Sequence, residues 1–359
     1  MAKNIVICCD GTGNEFGNRN SNVVKLFTTL VLDPKTQVAY YDPGLGTMGA
    51  NNALTKLGKW FTKMLGLAFG YGLLDNVGDA YRFLMQNWEP GDQLYLFGFS
   101  RGAYTARVLA SVLNMFGVLP RDNEQLTPYI LRSLKGMDNE GEAIARRFKT
   151  VFAMECKPHF VGVWDTVSSV GWIMEPFTAR YTAHNPDIQI GRHAISIDER
   201  RCFFRQNLWR PVPPGLNYKQ VWFAGVHSDI GGGYLEEESG LAKVTLRWMI
   251  TEAIAAGLMV NPAMVDEVLG ITPGSKYAPV DACGMMHDSM CGLWPVLEYL
   301  PRRHWNSKTQ KIEWILYRKR PRYIGEDSTL HQAVLDRLAC AKADYHPPNL
   351  PAKYKVEPW

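Results

Sequence analysis

Leu94-Tyr95-Leu96-Phe97-Gly98-Phe99-Ser100-Arg101-Gly102-Ala103 decides how the chain folds. Its first four residues form a short apolar run with the length and composition of a buried strand. Gly98-Phe99-Ser100-Arg101-Gly102 reads as a tight turn, and from Ala103 to Phe116 apolar residues recur at helical spacing. Strand, G-x-S-x-G and helix together are the context of a nucleophile elbow. The two glycines flank a turn too tight for side chains on its inner side, which pushes the serine hydroxyl out at the carboxyl end of the strand. The helix starts directly behind it. The backbone N–H of Arg101 and the positive helix end therefore face any oxyanion that forms. An ordinary βα turn is the competing reading of five residues with two glycines.

The 359 residues exceed the roughly 250–300 at which a single core stops growing. Hydrophobic residues at 46% and charged residues at 21% describe a globular protein. A net charge of +4 is too mild to argue for nucleic-acid binding, and no nucleic-acid partner is expected. No apolar run reaches the length of about 18 residues that a membrane span needs. Ile5 to Cys9 is too short for a signal-peptide core, so synthesis and folding in the cytoplasm are expected. The seven cysteines are odd in number, scattered and without a C-x-x-C pair, which reads as reduced thiols. Cys283, His287 and Cys291 recur every four residues, but a fourth ligand is missing and Gly284 and Gly292 oppose a helix. Neither a metal nor a cofactor is expected.

Working outward from the elbow, the chain keeps an α/β rhythm. Asn4 to Cys9 is strand-like and opens into Asp10-Gly11-Thr12-Gly13-Asn14. That loop is either a phosphate nest, for which the P-loop lysine is missing, or the second half of an oxyanion hole, which suits Ser100 better. Gln37 to Tyr41 is a second strand. Gly44, Gly46 and Gly49 after it satisfy G-x-G-x-x-G, but no acid-terminated strand follows at the right distance for a dinucleotide site. Leu54 to Gly70 is amphipathic, with Lys56, Lys59 and Lys63 on one face. It packs on the protein's own core or, if Ser100 works on lipids, forms a lid or peripheral membrane contact. Leu73 to Trp88 is a further helix before the elbow strand.

Beyond the elbow helix, Leu119 to Phe152 reads as an inserted helical region and Met174 to Pro214 as an irregular cap. Phe160 to Asp165 and Gln220 to Val226 are strands, and Leu241 to Ala256 is a helix. The basic cluster Arg302, Arg303, His304, Lys319, Arg320 and Arg322 reads as a solvated face. The expected architecture is one α/β-hydrolase-like domain over residues 1–359, a mostly parallel sheet flanked by helices. Cap or insert segments are expected at 50–70, 119–152 and 174–214, with an irregular C-terminal extension at 260–359.

Ser100, Asp165 and His227 each stand at a strand end, in the α/β-hydrolase order of nucleophile, acid and base. A serine hydroxyl needs an imidazole to take its proton, and that imidazole needs a carboxylate to hold its tautomer. Of eight histidines, His227 alone follows a clean buried strand within a glycine-rich loop. Asp165 has two rivals for the acid, Asp229 and Asp10. The oxyanion donors expected are the N–H groups of Arg101 and of Gly11 or Thr12.

Four stretches carry a resemblance: Asp10 to Asn14, Gly98 to Tyr104, Val163 to Val167 and Phe223 to Tyr234. Together they resemble the bacterial family called the uncharacterised α/β-hydrolase domain, which includes the first class of type VI secretion lipase effectors, phospholipases A. The resemblance implies Ser100 as nucleophile, Asp165 as acid and His227 as base, with a lipid acyl ester as substrate. It also implies export by a secretion system that needs no signal peptide, and a secretion-system or immunity partner. Aromatic content of 12% and the Leu54–Gly70 stretch favour a long acyl chain. An esterase or thioesterase for small soluble acyl substrates is the enzymatic alternative, and a non-catalytic membrane- or protein-binding module the other.

Overall fold

The computed structural model describes residues 2–11, 17–44, 72–167, 171–172, 175–176, 179–210, 215–292, 294–306 and 311–359. Eight strands form one sheet: β1 (Asn4–Cys9), β2 (Gln37–Asp42), β3 (Gln93–Phe99), β4 (Phe160–Trp164), β5 (Ile190–Ser196), β6 (Asn217–Phe223), β7 (Ser328–His331) and β8 (Tyr354–Glu357). Their spatial order is β8-β7-β6-β5-β4-β3-β1-β2, and every neighbouring pair is parallel. The α/β-hydrolase-like parallel sheet expected from the elbow is the one observed.

Strands β1, β3 and β4 are buried on both faces, which is why they read as nearly continuous apolar runs. Side chains alternate between faces with a period of two. Ile5, Ile7, Cys9, Leu94, Leu96, Val161 and Val163 pack on one face beneath helices Leu73–Asn87 and Arg101–Phe116. Val6, Cys8, Tyr95, Phe97, Phe99, Phe160 and Trp164 pack on the other, against helices Asn22–Thr29 and Gly240–Ala255.

The register decides where the chemistry sits. Cys9 lies opposite Gly98, Phe99 opposite Trp164, and Ser196 opposite Phe223. The carboxyl ends of β1, β3, β4, β5 and β6 therefore open along one rim. The chain reverses its direction of sheet growth between β1 and β3, and Ser100 stands at that switch point. Such a crevice is where open α/β sheets hold their ligands.

Two segments depart from expectation. Strand β5 lies inside the stretch 174–214 read as an irregular cap. Gly191, Arg192 and His193 break its apolar run, yet all three are buried; Arg192 Nε reaches Glu252 Oε2 at 2.5 Å, and His193 Nε2 accepts from the Thr166 N–H at 3.2 Å. The tail, read as irregular, supplies β7 and β8 and so builds one edge of the sheet. Its four-residue strands are too short to announce themselves by alternation. Nor are all seven cysteines reduced thiols, since Cys283 and Cys340 form a disulfide. The segment Leu119–Phe152 holds helices Thr127–Ser133 and Asn139–Phe152. Its Ile130, Leu131 and Leu134 pack into the first core cluster. Leu54–Gly70 lies outside the described residues.

Candidate active site

Ser100 joins β3 to the helix Arg101–Phe116 with φ 59° and ψ −118°, a backbone conformation that a residue with a Cβ rarely adopts. The glycines make this bend sterically feasible. A Cβ on Gly98 would lie 2.5 Å from the Gly102 carbonyl oxygen, and one on Gly102 would lie 2.1 Å from that of Cys9. The turn is thus clamped between its own helix and the end of β1. The Ser100 N–H donates to the Trp164 carbonyl at 3.0 Å, tying the elbow to β4.

Asp165 follows β4 directly and is fully buried, with φ 38°. Its N–H donates to Ala194 at 2.8 Å. His227 opens the short helix His227–Gly231 just beyond β6. Three strand ends thus bring three side chains into one line. Ser100 Oγ lies 2.8 Å from His227 Nε2, and His227 Nδ1 lies 2.5 Å from Asp165 Oδ2. The carboxylate holds the proton on Nδ1, leaving Nε2 to accept from the serine hydroxyl. Phe99 and Phe204 contact the imidazole from two sides, each with ring centroids 4.7 Å away. Burial pushes the His227 pKa below its ordinary value, even though the Asp165 hydrogen bond and charge pull it up.

Asp165 is itself held by groups that local sequence does not indicate. Arg322 Nη1 donates to Asp165 Oδ1 at 2.5 Å and Nη2 to Oδ2 at 3.0 Å, while the Ser196 N–H donates to Oδ1 at 3.0 Å. Burial alone would raise the pKa of Asp165. The Arg322 charge and the His227 hydrogen bond outweigh it and hold the carboxyl well below the usual carboxylate range. Arg322 was expected on a solvated basic face. It is buried instead, because the tail folds back and brings it to a carboxylate 157 residues away. Glu199 was also not anticipated: it is buried, its Oε2 accepts from the His227 N–H at 3.2 Å, and it pairs with Arg201 at 2.8 Å.

The two rival acids belong to other arrangements. Asp229 Oδ1 lies 2.7 Å from His287 Nδ1, and its Oδ2 accepts from the Val226 N–H at 3.0 Å. Asp10 accepts from the Ser21 hydroxyl at 2.5 Å and the Tyr41 hydroxyl at 2.8 Å. The Asp10 carboxylate also takes the Gly11 N–H at 2.6 Å, so that expected oxyanion donor is engaged inside its own loop. Thr12 lies outside the described residues. The N–H of Arg101 is the first of a 16-residue helix, directly behind Ser100, at the positive end of the helix dipole. Of the glycine triplet at 44, 46 and 49, only Gly44 is described. A Cβ there would meet the Asp10 and Gly11 carbonyl oxygens at 2.6 and 2.7 Å, so it packs beneath the first loop. Cys283 bonds to Cys340, and His287 bonds to Asp229 and Glu238, stacked on Tyr234.

Residues 3–252 match the family described as "T6SS, Phospholipase effector Tle1-like, catalytic domain". An uncharacterized Saccharomyces cerevisiae protein, YEL023C, is 34% identical over 228 residues, covering 59% of this chain and 33% of its own length. The chain therefore spans about a third of that relative. A crystal structure of an uncharacterized Pseudomonas aeruginosa protein aligns with 19% identity and a TM-score of 0.43, covering 74% of this chain and 47% of its own. A thermophilic esterase from Thermogutta terrifontis, Est2, aligns with 13% identity and a TM-score of 0.34, covering 73% and 84%.

Proposed function

The chain belongs to the Tle1-like phospholipase effector catalytic-domain family, and we propose that it is a serine ester hydrolase acting on lipid or phospholipid acyl esters. The observation that carries this reading is the hydrogen-bonded line from Ser100 Oγ through His227 to Asp165, built on a strained elbow. Ser100, Asp165 and His227 act as nucleophile, acid and base.

His227 Nε2 takes the hydroxyl proton as Ser100 Oγ attacks the acyl carbonyl. The tetrahedral oxyanion forms against the N–H of Arg101, with Gly11 or Thr12 as the second donor. For Gly11 to contribute, its N–H must exchange the Asp10 carboxylate for the oxyanion. The carbon–oxygen bond to the leaving alcohol then breaks, and that alcohol takes the proton from His227 Nε2. Water, deprotonated by the same nitrogen, attacks the acyl-enzyme and releases the fatty acid. Leu54–Gly70 remains the proposed membrane contact. Family membership supports export without a signal peptide and pairing with a secretion-system or immunity partner.

The test is labelling by a fluorophosphonate probe, which reports an activated serine irrespective of substrate. Wild type should label, while Ser100→Ala and His227→Ala should not. A folded wild type that fails to label defeats the mechanism and leaves a binding module on the same fold. Hydrolysis confined to short soluble esters would replace the lipid substrate with a small acyl one.

A further inference from the structure

Beside the histidine lies a second concavity, a cavity of ≈340 Å³ whose wall holds Arg200, Arg201, Arg205, Arg210, Arg320 and Arg322. Six guanidinium groups around one small space repel each other, and the repulsion grows as water is excluded. Arg201 pairs with Glu199, the one acid among the described residues of the wall, and Arg322 pairs with Asp165. Arg200, Arg210 and Arg320 have no carboxylate within ion-pair distance among the described residues. Arg322 is 6% exposed, yet its Nε has no hydrogen-bond partner. The site thus holds a surplus of cationic forks and a buried donor left unused. Guanidinium groups match the oxygens of a phosphate in pairs, so the anion that fits this chemistry is a phosphate.

The position of the cavity says which part of a substrate would carry that phosphate. Phe204 stands in its wall and touches the His227 ring, and the Arg201 guanidinium lies 3.7 Å over that same Phe204 ring. His227 Nε2 is the atom that returns a proton to the leaving alcohol. The half of the substrate that departs as an alcohol therefore lies on the histidine side. In a glycerophospholipid cleaved at an acyl ester, that half carries the phosphate.

We propose that this arginine-lined cavity is a phosphate subsite that holds the headgroup phosphate of the departing lysophospholipid. The proposal rests on the serine hydrolase reading above and adds a choice among lipids. The enzyme should prefer esters whose leaving half bears an anionic phosphate over those whose leaving half is neutral.

The experiment compares kcat/KM for phosphatidic acid and for diacylglycerol with the same acyl chains, in the same uncharged detergent micelles. It uses wild type and an Arg210→Ala/Arg320→Ala double variant; both side chains are exposed at the rim. The ratio of the two constants should fall about tenfold or more in the variant. Glycerol 3-phosphate should inhibit wild type competitively, and inorganic phosphate less strongly. An unchanged ratio overturns the headgroup subsite. An unchanged ratio with inorganic phosphate still competing would make the cavity a site for a free anion, which also overturns it. The hydrolase reading fails separately, by absence of both probe labelling and lipid turnover. In that event calorimetry of glycerol 3-phosphate on the two proteins decides the cavity, and binding that is absent or unaffected by the double substitution overturns the subsite.

Discussion

Arg322 grips Asp165 through both carboxylate oxygens, at 2.5 and 3.0 Å, and neither residue is more than 6% exposed. The same guanidinium donates to the carbonyls of Ser196 and Phe204 at 3.0 and 2.5 Å. One side chain therefore fixes Asp165, the end of β5 and the loop whose Phe204 packs on His227. Removing the cation leaves a buried charge uncompensated, which costs about 3–5 kcal/mol. Arg322→Met should show this loss in urea denaturation. Arg322→Lys keeps the charge but not the fork, and should lose less. A methionine variant as stable as wild type would contradict the account.

Substitution should distinguish Asp165 from Asp229. Asp165→Asn keeps the shape of the line but lets the imidazole adopt the wrong tautomer, and turnover of an ester should fall roughly ten-thousandfold. Asp229→Asn weakens the contact to His287 by removing its charge and leaves the His227 side chain's partners in place, so turnover should change by no more than about threefold. Both effects are read as kcat/KM on one ester substrate. A large loss in Asp229→Asn with little in Asp165→Asn would exchange their roles.

The pH dependence has a definite sign. In the proposed mechanism His227 must be neutral to accept the serine proton, and burial lowers its pKa. Neutral imidazole then persists to lower pH than usual, and the acid limb of kcat/KM should fall below the ordinary histidine value of about 6.5. Stability follows the same group. As pH falls through about 6.5 the unfolded chain takes up the proton first, so the folded state loses stability. Asp165 acts in the other range: its contribution is present above about 3.9 and is lost only as pH drops through its depressed folded value. An acid limb above 6.5 would show that the Asp165 interaction, not burial, dominates at His227.

Strain at the elbow can be isolated by comparing two variants that both lack the hydroxyl. Ser100 sits at φ 59° and ψ −118°. Ser100→Gly relaxes that strain while Ser100→Ala retains it, so the glycine variant should be more stable by about 1–2 kcal/mol. Thermal unfolding of both should show it, and neither should label with a fluorophosphonate. Equal melting temperatures would mean that the elbow stores no strain.

Local sequence was enough for the elbow. An apolar strand, two glycines that alone fit the turn, and a helix with apolar residues at helical spacing are short-range features, and the backbone at Ser100 follows from them. The chain order of Ser100, Asp165 and His227 was also legible, because each follows a buried strand and parallel strands open at one rim. Tertiary structure decided the rest. Strand β5 was hidden by Arg192 and His193, whose polar side chains are buried only because Glu252 and the Thr166 N–H meet them there. Which of three aspartates reaches His227 depends on sheet register, which side-chain patterning does not encode at strand ends. Arg322 looked like a surface cation until the tail placed it on Asp165. Charge pairs across such separations are set by how the chain folds back on itself. Sequence alone determined the strained serine, its helix and the sheet's parallel sense; the tertiary fold decided what surrounds His227 and Asp165.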